Sequence, residues 1–175
     1  LEDVQQAFCE LALQVREGGA IIANLSDPAL EPIIAVVKEK DVRLIDYAKY
    51  VDPLMPITMP GMHNQMNAAA AVAVASCLKI DPSDTEKALE KFAGTWRRFE
   101  YKGAFVNDEG RVLVYDDYGH HPTEIRATIT GTRELYPDRE LTVVFQSHTY
   151  SRTHELFADF VSALALADAV YLLPI

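Results

Sequence analysis

The sequence is poor in cysteine, in basic side chains and in long hydrophobic runs. Its 175 residues contain two cysteines and 16 lysines and arginines against 26 acidic residues, for a net charge of −10. Two cysteines are too few for a disulfide scaffold, and the acidic balance argues against broad binding to nucleic acid or an anionic membrane surface. No apolar run reaches the roughly 18 residues of a membrane span, and no signal segment is visible. We therefore expect a soluble, cytoplasmic protein without membrane insertion.

Several motifs of nucleotide binding and nucleophilic catalysis are also missing. No glycine is followed by lysine, which excludes the Gly-Lys-Ser/Thr core of a phosphate-binding loop. No Gly-x-Ser-x-Gly elbow is present, and no cysteine neighbours a histidine. Nucleophilic catalysis therefore has no support in the sequence.

What is present, in the first half of the chain, is an alternation of short apolar strands with helical patterns. Apolar residues recur at helical spacing over residues 4–15. Short strands are predicted at 20–24 and 42–46, and Pro28 suits the first turn of the helix between them. This β-α-β order indicates a parallel sheet with helices packed on it.

Two further helices complete this half. An alanine-rich pattern predicts one helix over 64–78, and a second begins after Asp81, where Ser83 and Glu86 have the spacing of a capping box. Gly94 follows the end of the second helix, which places a domain boundary near residues 93–95. The two predicted domains are therefore residues 1–93 and residues 94–175.

The second half is predicted to be a partial Rossmann-like domain. Paired strands are predicted over 99–105 and 111–116 around a turn at 107–110, and a helix covers 122–135. A strand at 141–145, a helix over 153–167 and a strand from Val170 follow. The order β-α-β-α-β is half of a doubly wound, mostly parallel sheet.

Two of these strands run directly into polar loops. Residues 112–115 lead into Asp-Asp-Tyr-Gly-His-His-Pro, and residues 142–145 lead into Gln-Ser-His-Thr-Tyr-Ser-Arg. Ligands of open parallel sheets bind at the carboxyl ends of the strands, so the two loops are expected to face one crevice. The side chains expected to line it are Asp117, His120, His121, His148 and Arg152.

Each of these residues also has a purely structural interpretation. The aspartates at 116–117 can cap turns, the histidines at 120–121 can lie on the surface, and His148 with Arg152 can form a solvated face. The aspartates and histidines of the first loop are also able to bind a metal. Adjacent histidines before a proline point in diverging directions, which disfavours a shared ion, and no metal site is predicted.

Two further groups of residues stand outside these loops. Arg97 and Arg98 follow the predicted boundary, where an arginine can reach a phosphate across a cleft, although most such pairs are simply solvated. His63, Asn64 and Asn67 cluster at a helix start. Asn64 alone fits a helix cap, while the amides together also suit the edge of a purine.

Four motifs occur in the order found in one family. They are Gly-Met-His-Asn-Gln-Met-Asn-Ala-Ala-Ala-Ala at 61–71, Phe-Ala-Gly-Thr-Trp-Arg-Arg-Phe-Glu at 92–100, and the two polar loops with their flanking residues at 116–125 and 145–153. Together they resemble the Mur ligase family, over the whole chain and most strongly after Gly61. The resemblance implies the end of a central ATPase-type α/β domain over 1–93, followed over 94–175 by the start of a Rossmann-like C-terminal domain.

The resemblance also implies an activity in the bacterial cytoplasm. The reaction would be the ATP-dependent joining of UDP-N-acetylmuramate to L-alanine through an acyl phosphate, in peptidoglycan synthesis. ATP and Mg²⁺ are the implied cofactors, with the metal ligands mainly outside this sequence. Because this family has three domains, and because the sequence opens without methionine and stops inside an apolar run, we interpret it as a piece of a longer protein.

Residue roles follow from the same resemblance. It places His63, Asn64 and Asn67 at the adenine, Arg98 at the phosphates and Asp117 at the ribose. It assigns the amino acid and acyl phosphate to Tyr118, His120, His148 and Arg152. In this set Arg152 binds the amino acid carboxylate, Tyr118 and His120 contact the substrate, and the catalytic residues are His120, His148 and Arg152.

Two departures from the family pattern are visible. Ser147 stands where the family usually has proline, which is expected to loosen the loop that carries His148. The connection over 47–61 is short, which weakens the transfer of contacts near His63. Two alternatives stay open: a related ligase that recycles murein peptides, and a non-catalytic nucleotide-binding module.

Because the sequence has no phosphate-binding loop, the 175-residue chain alone is expected to have no ligase activity. Phosphate release from ATP by the purified chain, measured with and without both substrates, tests this expectation. Substrate-dependent turnover by the chain alone would contradict it.

Overall fold

The computed structural model describes residues 2–108 and 110–175, which fall into two compact units. The first unit holds the described residues up to Ile57 together with Gln65–Lys91, and the second holds Thr58–Asn64 and Phe92–Ile175. Helices and strands alternate in both units, so the α/β class predicted from the sequence is confirmed. Within the described ranges, no helix is long and apolar enough to cross a membrane.

The first unit is built on two parallel strands. Its elements are α1 (Glu2–Leu13), β1 (Ala20–Ala23), a 3₁₀ turn (Pro28–Leu30), α2 (Glu31–Val37), β2 (Arg43–Asp46) and a second 3₁₀ turn (Tyr47–Tyr50). Strand β1 pairs with β2 so that Ile21 lies opposite Leu44. These two side chains pack against a buried cluster formed by Ala12, Ile33 and Val37, which joins α1 and α2 to the sheet.

Two helices follow, α3 (Met62–Cys77) and α4 (Pro82–Lys91). Helix α3 begins in the second unit and continues in the first, and the side chains of Ala68, Ala69, Ala73 and Ala75 are buried along it. The prediction that Ser83 caps α4 is wrong. The Asp81 carboxylate accepts a hydrogen bond from the Ser83 N–H at 2.8 Å and satisfies one of the free donors at this helix start.

An antiparallel hairpin opens the main part of the second unit. Its strands are β3 (Glu100–Asn107) and β4 (Gly110–Asp116), with a bulge between Tyr101 and Gly103. The predicted turn at 107–110 includes Glu109, which lies outside the described residues. At the other end of β4, the Tyr115 ring stacks on Phe99 and its hydroxyl hydrogen-bonds to that of Tyr136. Burial, reinforced by this hydrogen bond, raises the pKa of Tyr115 to about 12.

The rest of the second unit surrounds two parallel strands. The elements are α5 (Pro122–Leu135), β5 (Thr142–Gln146), α6 (Tyr150–Glu155), α7 (Phe157–Leu164) and β6 (Ala169–Leu173). Strand β5 pairs in parallel with β6. The α5 side chains Ile125 and Ile129 form a buried cluster with Phe160, Ala163 and Leu164 of α7, and Val143 and Phe145 of β5 pack against it.

Two predictions for this unit are wrong in detail. The single helix expected over 153–167 is two helices, which meet at Leu156, where φ is −108° and ψ is 23°. In addition, β4 and β5 were expected in one parallel sheet. In the described residues, β4 pairs only with β3, and β5 pairs only with β6. A cavity of about 600 Å³ lies between β4, α5 and β5.

Replacing Ile129 by alanine is expected to lower the free energy of unfolding of the second unit by about 2–4 kcal/mol, because Ile129 is 4% exposed and its removal leaves a cavity. The matched control is Leu135→Ala, on the same helix but 43% exposed, for which about 0.5 kcal/mol or less is expected. Urea unfolding, followed by hydrogen exchange of peptides from α5 and α7, measures the loss of unfolding free energy in each of the two variants. Equal losses in the two variants would contradict the assignment of this core.

Candidate active site

The end of β4 holds the segment before β3 through three consecutive residues. Asp116 accepts a hydrogen bond from the side-chain Nε of Arg97 at 3.2 Å. The two oxygens of Asp117 accept from the N–H groups of Phe99 at 2.9 Å and Gly119 at 2.7 Å. The Tyr118 N–H donates to the carbonyl oxygen of Arg97 at 2.8 Å. The loop at 116–119 and the segment at 97–99 therefore form one hydrogen-bonded structure.

This structure holds two residues in an unusual backbone conformation. Arg97 has a φ of 53° and Phe99 a φ of 49°, in the left-handed region that side chains other than glycine seldom adopt. Each such residue costs about 1–3 kcal/mol and persists only where its surroundings enforce it. The hydrogen bonds from Asp117 and Tyr118 supply that enforcement, as does the bond from the Arg97 N–H to Glu100 at 2.9 Å. Arg98 lies between the two left-handed residues, so its direction is fixed by them.

The Arg97 side chain joins the segment to an aromatic group. Its guanidinium lies 5.0 Å from the ring centre of Tyr118 and 5.7 Å from that of Trp96, whose side chain is 78% exposed. Both distances lie within the range of cation–π attraction. Arg97 therefore helps to orient the Tyr118 ring, while Arg98 is the neighbour predicted to bind phosphate.

The two polar loops meet at three aromatic rings. The ring of His120 lies 5.3 Å from Tyr118 and 6.0 Å from His148, and the rings of Tyr118 and His148 are 6.4 Å apart. Three residues of the predicted site, taken from both loops, are thus brought together. They meet although β4 and β5 belong to separate hydrogen-bonded sheets. The two loops therefore meet because each follows the carboxyl end of its strand, without hydrogen bonds between β4 and β5.

His121 behaves differently from its neighbour. Its Nδ1 accepts a hydrogen bond from the Thr123 N–H at 3.2 Å, and its own N–H donates to Glu124 at 3.2 Å. Together these two bonds form a capping box at the start of α5. His121 is therefore the cap of α5, a role that was not predicted for it from the sequence.

Glu124 is a residue of this site that the sequence reasoning missed. Its carboxylate accepts from the His120 N–H at 3.0 Å, lies 3.4 Å from the His120 Nδ1, and is 3.4 Å from Arg98 Nη1. Burial raises the pKa of the Glu124 carboxyl, but the His120 N–H and the charges of His120 and Arg98 act against burial and leave the pKa below its ordinary value. Its position three residues after the helix cap was the only signal in the sequence, and that signal indicates a capping role.

Arg152 lies on α6, four residues after His148. Its Nη1 atom is buried and has no hydrogen-bond partner among the residues that the structure describes. A guanidinium has five N–H donors that suit a carboxylate or a phosphate, and a buried donor without a partner is costly. Arg152 is therefore suited to bind an anion.

Ser147 does not have the expected effect on the loop before α6. Its hydroxyl hydrogen-bonds to the hydroxyl of Thr153, which in turn donates to the Thr149 carbonyl oxygen at 2.7 Å. The serine in place of the family's proline therefore ties the loop to α6, where the sequence suggested a looser loop.

The residues predicted at the adenine divide between the two units. His63 and Asn64 belong to the second unit, whereas Asn67, further along α3, belongs to the first. Asn64 is not a helix cap, because α3 already begins at Met62 and the Asn64 side chain donates back to the Pro60 carbonyl oxygen at 2.7 Å. A Cβ atom on Gly131 of α5 would lie 3.3 Å from the Gly61 backbone, so the 60–61 segment packs closely on that helix.

The cavity beside β4 is separate from this group of side chains. Its lining includes Phe99, Asp117, Gly119 and residues of α5 and β5, but not Tyr118, His120, His148 or Arg152. Among the described residues, no group of three or more histidine, cysteine, aspartate or glutamate side chains is arranged to hold a metal ion. The candidate site is the surface formed by the two loops, with Arg98, Asp117, Glu124 and Arg152 among its charged groups.

Comparisons with known proteins bear on the family of this chain. Residues 97–174 match the family model described as Mur ligase, glutamate ligase domain. The UDP-N-acetylmuramate–L-alanine ligase of Coxiella burnetii is 32% identical over 98% of this chain and 42% of its own length. The resemblance predicted from the four motifs is confirmed, and the chain belongs to the Mur ligase family.

Solved structures support the same fold. The crystal structure of UDP-N-acetylmuramate-alanine ligase from Thermotoga maritima matches with a TM-score of 0.58 and 34% identity, over 68% of this chain and 25% of that one. A folylpolyglutamate synthase of Mycobacterium tuberculosis, solved with ADP, matches with a TM-score of 0.73 and 15% identity, over 97% of this chain and 42% of that one. The chain thus spans less than half the length of these relatives.

Glu124→Gln is expected to destabilise the chain at neutral pH and to do so less in acid. The folded pKa of Glu124 lies below its unfolded value of about 4.3, so its charge stabilises the fold above that value, and this stabilisation is lost as the pH falls through the folded pKa. The difference in unfolding free energy between wild type and variant should therefore shrink between about pH 6 and about pH 3.5. Urea titrations at both pH values measure this difference in unfolding free energy. The control is Glu134→Gln, at an exposed position of the same helix. A difference that stays constant with pH would contradict this role of the carboxylate.

Proposed function

We propose that this chain is part of an ATP-dependent ligase that joins L-alanine to UDP-N-acetylmuramate in peptidoglycan synthesis. Residues 1–93 would be the end of its central domain and residues 94–175 the start of its C-terminal domain. The observation that carries the proposal is the meeting of Tyr118, His120 and His148 from two separate loops. The alanine-adding relative, 32% identical across nearly the whole chain, supports the choice of substrates.

Each proposed role matches a chemical need of amide formation. The carboxylate of the first substrate is a poor electrophile, and phosphorylation by ATP gives it a leaving group. The amino acid arrives as an ammonium ion, which must lose a proton before its nitrogen can attack the acyl carbon. His120 and His148 are the side chains placed to accept that proton. Arg152 would hold the amino acid carboxylate in a paired hydrogen bond, with Tyr118 packing beside it.

The ATP side of the site is proposed on the remaining residues. Arg98 uses Nη1 for Glu124 and is 49% exposed, so its other donors are available to a phosphate. Asp117 already accepts two N–H groups, but each carboxylate oxygen can accept a further hydrogen bond, here from a ribose hydroxyl. His63, Asn64 and Asn67 are proposed at the adenine. The described residues contain no group of three or more histidine, cysteine, aspartate or glutamate side chains arranged for a metal ion, and no step is assigned to Mg²⁺.

In the intact ligase, Arg152→Ala is expected to raise the KM for L-alanine by about tenfold or more while changing the KM for ATP by about twofold or less, because a charged hydrogen bond to the substrate carboxylate is lost. Steady-state phosphate release at varied L-alanine and varied ATP measures both constants. Arg126→Ala is the matched control, since Arg126 contacts Ser162 of α7 at 2.9 Å and lies outside the site. Equal effects on both substrates would contradict the role of Arg152.

The same assay separates the other two functions left open by the sequence. A ligase that recycles murein peptides would release phosphate in response to a peptide and not to L-alanine. A non-catalytic nucleotide-binding module would release phosphate with neither. Either outcome would contradict the proposed reaction.

A further inference from the structure

A single carboxylate connects two groups of the proposed site. Glu124 Oε2 lies 3.0 Å from the His120 N and 3.4 Å from its Nδ1, while Oε1 lies 3.4 Å from Arg98 Nη1. The side chains of Glu124 and His120 are 34% and 32% exposed, so solvent only partly screens their interaction. Glu124 is therefore placed to influence the state of the His120 ring.

The surroundings of the His120 Nδ1 decide which ring nitrogen carries hydrogen. Nδ1 lies 3.2 Å from the Tyr118 carbonyl oxygen and 3.4 Å from Glu124 Oε2. A carbonyl oxygen and an ionised carboxylate only accept hydrogen bonds, so a bare lone pair on Nδ1 would face two oxygens and be repelled. In the neutral ring the hydrogen therefore belongs on Nδ1, and the lone pair belongs on Nε2.

We propose that Glu124 is a positioning residue that holds His120 as the Nδ1–H tautomer, so that Nε2 is the atom that accepts a proton from the incoming amine. The catalytic part of this inference rests on the proposed function. One proton of the substrate ammonium passes to Nε2, and the freed nitrogen lone pair forms the new C–N bond. The C–O bond to the phosphate then breaks, and the phosphate leaves with that electron pair and the second proton.

The negative charge of Glu124 would also favour the imidazolium that forms when Nε2 is protonated. The ring then carries hydrogen on both nitrogens, and Nδ1–H keeps the Tyr118 carbonyl oxygen as its acceptor, with the Glu124 charge 3.4 Å away. This is the general arrangement in which one acceptor orients a histidine that works through its other nitrogen. No further reactant is needed.

Glu124 also has a purely structural role that the test must separate. It accepts the His121 N–H at 3.2 Å as part of the capping box of α5. Glutamine serves in that position of a capping box as well as glutamate does. Glu124→Gln therefore keeps an acceptor for the helix start and removes the charge that faces His120 and Arg98. Glu134→Gln removes the same charge from an exposed position of the same helix.

The first experiment uses the chain itself, labelled with ¹⁵N in its histidine rings, at about pH 8.5, where a histidine of ordinary pKa is neutral. Ring ¹⁵N shifts report the tautomer directly. In the wild-type chain, His120 should be mainly Nδ1–H. In Glu124→Gln the ratio of Nδ1–H to Nε2–H should fall about fivefold or more, because the negative charge 3.4 Å from Nδ1 is removed. In Glu134→Gln the ratio should stay unchanged.

Two results of this experiment would overturn the proposal. If His120 of the wild-type chain is mainly the Nε2–H tautomer, the proposal is overturned whether or not the variant folds. An unchanged ratio in Glu124→Gln, with the backbone amide signals of α5 in place, does so as well. Because neither result depends on ligase activity, both are distinct from a failure of the proposed function.

The second experiment tests the catalytic part in the intact ligase. There, Glu124→Gln should lower kcat about tenfold with little change in the KM for L-alanine. The substitution affects the proton acceptor His120 and not Arg152, which binds the carboxylate of L-alanine. An unchanged kcat beside an altered tautomer would overturn the role of His120 as the proton acceptor while leaving the tautomer assignment in place.

Discussion

The carboxylate of Asp117 is the contact on which the rest of the site depends. One of its oxygens holds the Phe99 N–H and the other holds the Gly119 N–H, so a single side chain joins the segment before β3 to the loop after β4. The segment it holds contains two left-handed residues that would relax without such contacts. The contacts of Tyr118 and Glu100 with Arg97 complete this arrangement, which holds Arg98 between the two left-handed residues.

The charges of the second unit are arranged in short-range pairs. Arg97 lies beside Asp116, Arg98 beside Glu124, and Arg133 2.7 Å from Asp168. In a chain with a net charge of −10, such pairing leaves little free positive charge to attract polyanions. Arg152 is the exception within the site, because one of its buried nitrogens has no partner in the described part of the chain. Recognition of a small anion at one defined point therefore fits the overall acidity of the chain.

Local chemical signals explain which parts of this fold were predictable from sequence. Helix α5 was predicted over 122–135 and is found there, because Pro122 marks its start and Pro137 follows its end. The break at Leu156 carries neither glycine nor proline, so the periodic pattern continued through it. The pairing of β4 with β3 was predicted from the turn between them and is confirmed. The lack of pairing between β4 and β5 in the described residues was not predictable, because an apolar run identifies a strand but not its partner.

The candidate site, like the fold, was predictable from the sequence in some parts and not in others. The meeting of the two loops was predictable, because both follow the carboxyl ends of strands. The contact of Glu124 with Arg98 was not, since it joins residues 26 positions apart and depends on the left-handed backbone around Arg98. His63 and Asn64 were found by their sequence motif, but their membership of the second unit, apart from Asn67, is visible only in three dimensions.

The two units are interleaved along the sequence. Residues 58–64 belong with the second unit although the rest of that unit begins only at Phe92, and Gly61 lies so close to Gly131 that a Cβ atom on Gly131 would be 3.3 Å from the Gly61 backbone. A single cut in the chain therefore cannot separate the two units cleanly. Any division near residue 92 removes residues 58–64 from the second unit, and with them the contact between Gly61 and Gly131 of α5, so an independently folding version of this unit would need residues 58–64 rejoined by a linker or a circular permutation.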